Sequence, residues 1–230
     1  MKKVAVITGA SKGIGRAIAK ALSEEGFSLS LGARSVNLLK ELVEELNTEV
    51  FYSYLDVSDP VSVKEFATNT LKKFRNVDVV IANAGIGIPG RLDEISEDDF
   101  MRTIQVNLLG VWRTIKAFLP SLKERRGVAI VVTSDLSTRL LPGSGAYVVS
   151  KWGARALVRT FQLENPEVRF LELRPGAVDT HFYGKPGRKR EEGFMKPEDV
   201  AEIVRMVVKL PTHVRVEEVM FRSIYQDPVY

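Results

Sequence analysis

The chain has 230 residues, of which 45% are hydrophobic and 27% charged, as is ordinary for one globular domain with a sizeable core. It has no cysteine and only two histidines, which excludes disulfides, thiol nucleophiles and cysteine zinc sites and makes a histidine-rich metal site unexpected. The net charge of +4 is mild and both signs are interspersed, so we expect no nucleic-acid partner.

The first predicted element is a strand and not a targeting segment. No apolar run approaches the roughly 20 residues that a membrane span needs. The apolar stretch after Lys2 and Lys3 is about five residues long and runs straight into a glycine motif, unlike a signal peptide. We therefore expect no membrane partner and a cytoplasmic location.

Short β-rich segments alternate with longer helical ones along the whole chain. Apolar runs bounded by turn residues predict strands at 4–8, 28–33, 50–55, 77–82, 128–133, 168–173 and 218–222. Helical periodicity and capping residues predict helices over 13–25, after Ser35, after Asp59, from Ser96 towards Lys123, over 146–163 and over 197–210.

This alternation predicts one α/β domain over residues 1–230, a doubly wound Rossmann fold. Strands separated by helices pair in parallel through right-handed crossovers, which gives a seven-stranded parallel sheet flanked by helices on both faces. Ligands of such sheets lie at the carboxyl ends of the strands. The segments that directly follow strands are therefore the candidate site.

The segment after the first strand, residues 8–15, has the sequence TGASKGIG. Its glycines allow a sharp turn and close approach to a phosphate, and the helix start supplies amides and the positive dipole end. Tight turns also use glycine for steric reasons alone, but the first βα turn of such a chain favours a nucleotide site. The expected binding residues are Gly9, Ser11, Lys12, Gly13, Ile14 and Gly15.

The end of the second strand indicates which nicotinamide cofactor is bound. Folds that bind NAD place an acid there for the ribose 2′-hydroxyl, whereas residues 26–40 contain no acid. Arg34 takes the expected position, and its guanidinium suits a 2′-phosphate that a carboxylate would repel. Lys12 adds a second positive charge. NADP(H) is the expected cofactor, and an ordinary surface arginine is the alternative.

Tyr147 and Lys151 place a phenol and an ammonium group four residues apart on one helix face. The spacing alone is not specific, because a half-buried tyrosine beside a surface lysine is a common structural pair. Their context adds weight. Ser134 lies just past the fifth strand, at the carboxyl edge of the sheet, and Asn107 lies within the long preceding helix.

With these motifs the chain resembles the short-chain dehydrogenase/reductase family, in its single-domain form, along nearly its whole length. It is especially similar to the archaeal NADP-dependent alcohol dehydrogenases of that family. The matching motifs are TGASKGIG at 8–15, Asp56-Val57, Asn83-Ala84-Gly85, Asn107, Ser134, Tyr147 with Lys151, and RPGAVDT at 174–180.

The resemblance implies hydride transfer between NADP(H) and an alcohol or carbonyl substrate. Tyr147 would exchange a proton with the substrate oxygen, and Ser134 would hydrogen-bond and orient that oxygen. Lys151 would lower the pKa of the phenol and bind the nicotinamide ribose. Asn107 would hold a water molecule in a proton relay that ends at Lys151.

The resemblance also implies the remaining cofactor contacts. Asp56 would bind the adenine amino group, with Val57 beside it. Residues 83–85 would pack along the cofactor, and the segment after the sixth strand would position the nicotinamide. The residues carried over in these two segments are Asn83, Ala84, Gly85, Pro175, Gly176, Val178 and Thr180.

Residues 181–195, with three glycines, are expected to form a mobile cover over the substrate. Aromatic residues in this segment (Phe182, Tyr183 and Phe194) indicate an apolar or aromatic-tolerant pocket, although polar substrates stay possible. His181 and Asp135 border the site, and the more ordinary interpretations are a solvated histidine and a loop-stabilising aspartate. The basic cluster in the cover indicates a solvated loop more than a phosphate-bearing partner; it comprises Lys185, Arg188, Lys189 and Arg190.

Other activities compete with this interpretation. A silent NADP-binding redox sensor of this family would usually lack the tyrosine or lysine, and an NAD-preferring dehydrogenase stays open. An epimerase or dehydratase would need a larger C-terminal domain. A hydrolase based on Ser134 would need a histidine base in a motif.

The resemblance further implies a homotetramer, assembled through the helix around residues 108–122, the Tyr147 helix and the last strand. The same apolar faces could instead belong to the core of one subunit. No metal site is expected.

Overall fold

The computed structural model describes residues 2–182, 184 and 186–227. The strands are short and rich in valine, isoleucine and leucine, and most are buried on both faces, as parallel strands covered by helices must be. They are β1 (Val4–Thr8), β2 (Ser28–Ala33), β3 (Val50–Tyr54), β4 (Val79–Ala82), β5 (Val128–Val132), β6 (Arg169–Pro175) and β7 (Glu218–Phe221).

The helices alternate with these strands and begin where the capping residues predict. Asp59 accepts a hydrogen bond from the Val61 amide at 2.9 Å, and Ser96 accepts one from the Asp99 amide at 3.1 Å. The helices are α1 (Gly13–Glu24), α2 (Val36–Glu44), α3 (Pro60–Phe74), α4 (Glu97–Ile104), α5 (Gly110–Arg125), α6 (Gly145–Glu164) and α7 (Pro197–Lys209).

The seven strands form one parallel sheet in the order β3-β2-β1-β4-β5-β6-β7. The order reverses direction between β1 and β4, and this is the point at which a doubly wound sheet opens a crevice for a ligand. The predicted Rossmann fold and seven-stranded parallel sheet are confirmed.

Two apolar layers hold the sheet between its helices. One layer packs α1, α2 and α7 against one face, with Ile18, Leu39 and Val204 fully buried. The other packs α3, α5 and α6 against the opposite face, around Phe66 and Phe118. Among the helices in the described ranges, none combines the length and apolarity that crossing a bilayer requires.

The long helix predicted from Ser96 towards Lys123 is interrupted. A π-helical turn, Gln105–Leu109, separates α4 from α5, and the Gly110 amide donates to the Gln105 carbonyl five residues earlier. Such a turn inserts one extra residue into an α-helix and is often found at functional sites. Asn107 lies at its centre.

Candidate active site

One cavity of about 880 Å³ lies along the carboxyl ends of the strands. Its walls come from the loops that follow β1 to β6, the start of α6 and the segment after β7. Most of the predicted site residues line it: Gly9, Ser11, Lys12, Gly13, Ile14, Arg34, Asp56, Val57, Asn83, Ala84, Gly85, Ser134, Tyr147, Lys151, Pro175, Gly176, Val178 and Thr180.

The glycine loop turns where L-residues with side chains are disfavoured. Gly9 and Gly13 have φ of +67° and +52°, and a Cβ at Gly9 would lie 2.9 Å from the Ala84 Cα. Gly15 is buried beneath the loop and not on the cavity wall, and its Cβ would lie 2.4 Å from the Gly9 carbonyl oxygen. Gly15 therefore allows the loop to lie on α1, while its neighbours face the cavity.

Asn83 ties the loop to the strand beside it. Its Nδ2 donates to the carbonyls of Thr8 and Gly9 at 3.0 and 3.3 Å. The Thr8 hydroxyl in turn accepts from the amides of Asn83 and Ala84, both at 3.1 Å. The side chain of Asn83 thus fixes the shape of the glycine loop.

The start of α1 offers backbone donors to an anion. The first amides of a helix have no intrahelical acceptor, and the N-cap residue, Lys12, makes no side-chain capping bond. Arg34, directly after β2, is exposed on the same wall. The loop, the two cations and the helix dipole suit a phosphorylated nucleotide.

Asp56 follows β3 on this wall. Its Oδ1 accepts from the amide and the hydroxyl of Ser58 at 2.9 and 2.6 Å, which fixes the carboxylate at the turn. These two hydrogen bonds use Oδ1 and leave Oδ2 for a donor in the cavity.

Tyr147 lies in the first turn of α6 and is 93% buried, since 7% of its surface is exposed. Its ring contacts Phe182 edge to face, with centroids 5.5 Å apart. Leu136 and Val148 complete this apolar cluster. Phe182, from the predicted cover segment, therefore forms one wall around the phenol.

Ser134 begins the short 3₁₀ turn after β5. Its Oγ accepts from the Leu136 amide at 3.1 Å and donates to Asp135 Oδ1 at 3.2 Å. Asp135 is buried, and its Oδ2 lies 3.0 Å from Arg139 and 3.3 Å from Arg222. These contacts match the loop-stabilising interpretation of Asp135.

Lys151 is 4% exposed, and its Nζ donates to the Val132 carbonyl at 3.0 Å. The ammonium lies 5.5 Å from the centroid of the Tyr147 ring. Burial lowers the pKa of Lys151 to about 8, and the negative charge of Glu172 opposes part of that shift. A positive charge is therefore held beside the phenol in a largely desolvated site.

Asn107 lies behind the cavity wall and is fully buried. Its Oδ1 accepts from the Ile86 amide at 2.8 Å, while its Nδ2 donates to the Ile86 carbonyl at 2.8 Å and to Ser150 Oγ at 3.0 Å. The side-chain amide is thus used to join the loop after β4 to α6. A water molecule at Asn107 would therefore have to bind the backbone of this residue. The π turn takes that backbone out of the regular α-helical hydrogen-bond pattern.

The segment after β6 is held by the end of the chain. Gln226 Oε1 accepts from the Ala177 amide at 3.2 Å, and a Cβ at Gly176 would lie 2.4 Å from the same oxygen. Val178 pairs with Met195 in an isolated bridge, which places the cover segment beside the cavity. His181 and Phe194 of this segment line the cavity.

Several residues that line the cavity were not predicted from the sequence, because they belong to no recognisable motif. Arg102, Arg139 and Gln226 reach the cavity from α4, from the loop after Ser134 and from beyond β7. Arg188 lines it too and lies 4.7 Å from the Phe194 ring centroid, although the sequence favoured a solvated loop for that cluster. Two members of the predicted cover, Tyr183 and Lys185, lie outside the described residues.

Comparison with known proteins agrees with this geometry. Residues 3–191 match the family model of short chain dehydrogenases. The chain is 34% identical to a sepiapterin reductase of Chlorobaculum tepidum, over 99% of this chain and 98% of that protein.

Solved structures give the same result. An alcohol dehydrogenase from the archaeon Thermococcus sibiricus, complexed with 5-hydroxy-NADP, is 60% identical with a TM-score of 0.97 over 100% of both chains. A metagenomic short-chain oxidoreductase in complex with NADP is 29% identical, with a TM-score of 0.84 over 95% of each chain. The chain is therefore an oxidoreductase of the short-chain dehydrogenase family.

Proposed function

We propose that this protein transfers a hydride between NADP(H) and an alcohol or carbonyl substrate. The observation that carries the proposal is that Ser134, Tyr147 and Lys151 line the same cavity as the glycine loop. A bound nicotinamide nucleotide and a small substrate could therefore meet at the phenol.

NADP(H) fits the residues present. The turn at Gly9 and Gly13 leaves room for a pyrophosphate, and Arg34 and Lys12 supply cations for a 2′-phosphate. The relatives crystallised with NADP and with 5-hydroxy-NADP support the same choice. When bound, the cofactor supplies a hydride to the carbonyl carbon in reduction.

The side chains handle the oxygen of the substrate. In reduction the Tyr147 hydroxyl donates its proton to the carbonyl oxygen, which becomes the alcohol hydroxyl. Ser134 Oγ turns its proton from Asp135 Oδ1 to this oxygen, and the new hydrogen bond orients the substrate. Oxidation reverses both steps. Phe182, packed on the Tyr147 ring, helps to exclude water from the reacting groups.

Lys151 keeps the phenol ready to exchange a proton. Its ammonium stabilises the phenolate that reduction leaves behind and would hold the ribose hydroxyls of the nucleotide. The proton returns to Tyr147 from solvent, by way of Lys151 and a water molecule near the Asn107 backbone. This route requires no rearrangement of the buried Lys151 ammonium or of the π turn.

The experiment that tests the function is NADPH oxidation against a panel of ketones, aldehydes, diketones and sugars, with Tyr147→Phe and Tyr52→Phe in parallel. We expect turnover with wild type and with Tyr52→Phe, because Tyr52 lies on β3, away from the cavity wall. Tyr147→Phe should lose at least about a hundredfold in kcat while binding NADPH nearly as wild type does.

Two outcomes would oppose the proposal. Substantial turnover by Tyr147→Phe would remove the acid/base role of the phenol. Tight NADPH binding with no turnover of any carbonyl would favour a redox sensor that uses cofactor occupancy as its signal.

We also infer a homotetramer of single-domain subunits that act in the cytoplasm. The inference is supported by large apolar side chains left partly exposed on α5, α6 and β7, the elements through which the family resemblance implies assembly. These side chains are Trp112, Val149, Trp152 and Met220.

A further inference from the structure

A buried carboxylate lies behind the proposed catalytic residues. Glu172, on β6, is 0% exposed. Its Oε1 accepts from Thr133 Oγ1 at 2.9 Å and from Ser137 Oγ at 2.7 Å. Its Oε2 accepts from the Arg155 guanidinium at 2.5 Å. One side chain thus collects donors from three neighbouring elements.

Two of these donors bracket the loop that carries Ser134. Thr133 directly precedes Ser134, and Ser137 ends the 3₁₀ turn that Ser134 begins. Thr133 also follows Val132, whose carbonyl accepts from Lys151. The two hydroxyl contacts therefore fix both ends of the segment whose Ser134 would bind the substrate oxygen.

The third donor belongs to the helix that carries the other reacting groups. Arg155 lies four residues after Lys151 and eight after Tyr147 on α6, so the three side chains share one side of the helix. Through Arg155, the carboxylate that holds the Ser134 loop also holds α6.

Stability alone does not account for a carboxylate at this place. Burying a charge is costly, and replacing a buried ion pair by apolar residues is often neutral or stabilising. A comparison is offered by Glu218 on β7, which pairs with Arg155 at 3.1 Å, with Arg159 at 2.5 Å and with Arg174. Glu218 belongs to the same ionic cluster but is partly exposed and bonded to arginines.

We propose that Glu172 is a positioning residue: its carboxylate sets the loop that carries Ser134 against the helix that carries Tyr147 and Lys151. The inference rests on the function proposed above. It assigns to Glu172 the spacing between the group that orients the substrate oxygen and the group that exchanges its proton.

The charge of Glu172 adds an electrostatic effect. In the part of the chain that the structure describes, the charged and titratable groups found at Lys151 are Tyr147 on its own helix and Glu172 from β6. Those around Glu172 are Arg155, Lys151 and, at 3.9 Å on its own strand, Arg174. Because the negative charge favours the ammonium, neutralising Glu172 should lower the pKa of Lys151 below about 8.

The test compares Glu172→Gln with Glu218→Gln in the NADPH oxidation assay. For Glu172→Gln we expect kcat to fall by about tenfold or more, because the Ser134 loop shifts relative to Tyr147. The KM for NADPH should stay within about twofold of wild type, because the phosphate-binding loop belongs to β1 and α1. The alkaline limb of its kcat profile should move to lower pH. Glu218→Gln should leave that limb in place.

Two further variants keep the proposal open to refutation if Glu172→Gln does not fold. Thr133→Val and Ser137→Ala each remove one hydroxyl contact but retain the charge, so kcat should fall by about threefold to tenfold without movement of the alkaline limb. Wild-type kcat in both would overturn the proposal. So would equal losses of kcat in Glu172→Gln and Glu218→Gln with no movement of the limb.

The same assay separates this inference from the function on which it rests. Tyr147→Phe is measured first. Activity that survives in Tyr147→Phe would overturn the acid/base function and the positioning role with it. Loss of activity in Tyr147→Phe, combined with wild-type behaviour of Glu172→Gln, would overturn the positioning role alone.

Discussion

Lys151 lies in a buried environment that disfavours its positive charge. Its pKa falls from an ordinary value of 10.5 to about 8 because burial penalises the ammonium more than Glu172 supports it. A lowering of this size corresponds to about 3 kcal/mol against the charged form in the fold at neutral pH. The proposed chemistry therefore needs a group that the fold alone disfavours.

Lys151→Met should abolish turnover and yet stabilise the protein at pH 7. We expect the free energy of unfolding to rise by about 1–2 kcal/mol, after the lost hydrogen bond to Val132 is subtracted. Urea denaturation between pH 7 and 10.5 measures this, with the exposed Lys40→Met as a control that should change little.

The pH dependence has a definite sign. Below pH 8 the lysine is charged in both the folded and the unfolded chain, so the penalty is fully present. Between pH 8 and 10.5 the unfolded chain binds more protons, so wild type gains stability relative to Lys151→Met as the pH rises. A gap between the two proteins that is independent of pH would contradict the burial argument.

Arg34 should set the preference between the two nicotinamide nucleotides. Arg34→Asp replaces the proposed phosphate ligand by a carboxylate, which repels a 2′-phosphate and accepts from a ribose 2′-hydroxyl. The ratio of kcat/KM for NADPH to that for NADH should fall by about tenfold to a hundredfold. Lys40→Asp, on α2 and off the cavity wall, makes the same charge change and should leave the ratio nearly constant. An unchanged ratio in Arg34→Asp would remove Arg34 from the phosphate site.

At the scale of elements, most boundaries could be predicted because each strand is an apolar run ended by a turn residue. The break between α4 and α5 could not. One residue inserted at 105–109 shifts the helical phase without changing the apolar pattern, and no glycine or proline lies within the turn itself. The fourth strand begins at Val79 and not at residue 77, because the Val77 amide donates to the Ser121 hydroxyl of α5 and not to a neighbouring strand.

The residues of the site also fall into two groups, those that could be predicted from the sequence and those that could not. The place of the glycine loop could be predicted from its position after the first strand. Tyr147 and Lys151 could be predicted from their context and from the family resemblance, because the spacing of the pair alone is not specific. Glu172 and Gln226 could not, because their partners are 17 or more and 49 residues away in sequence and only the folded sheet brings them together.

The contact between β1 and α1 depends on the absence of a side chain at Gly15. A Cβ there would lie 2.4 Å from the Gly9 carbonyl and 2.6 Å from Asn83 Nδ2. Gly15→Ala should therefore lower the free energy of unfolding by about 1–3 kcal/mol and weaken NADPH binding. Isothermal titration and thermal unfolding measure both effects.

Gly153→Ala is the matched control, another helical glycine replaced by alanine. Its Cβ would lie 3.0 Å from the flexible Leu108 side chain, so the helical preference of alanine offsets the contact and stability should stay within about 1 kcal/mol of wild type. Equal losses in the two variants would show that the close approach to the Gly9 carbonyl is not the cause.

At the scale of the molecule, the exposed apolar faces should meet other copies of the chain. Trp112, on α5, is 39% exposed, and Lys116 lies one turn later with its ammonium 4.6 Å from the ring centroid. Trp112→Glu keeps the helix favourable through a pair with Lys116 but places a charge in the inferred interface. Light scattering after gel filtration should show a species smaller than that of the wild-type protein.

Val61→Glu provides the control for assembly. Val61 is 60% exposed at the start of α3, away from the elements through which assembly is inferred. The variant should elute with the wild type. If Trp112→Glu also eluted with the wild type, α5 would not be part of the interface.

All seven strands run in one direction, so the sheet has two unlike rims. The groups proposed for chemistry stand at one rim, while the opposite rim holds tight returns such as that at Gly26, whose φ is +78°. Loops are the parts of a fold that tolerate changes of sequence and length. Loops at the first rim can therefore change to admit another substrate while the strands and the opposite rim keep the sheet. Architecture and chemistry thus depend on different ends of the same strands.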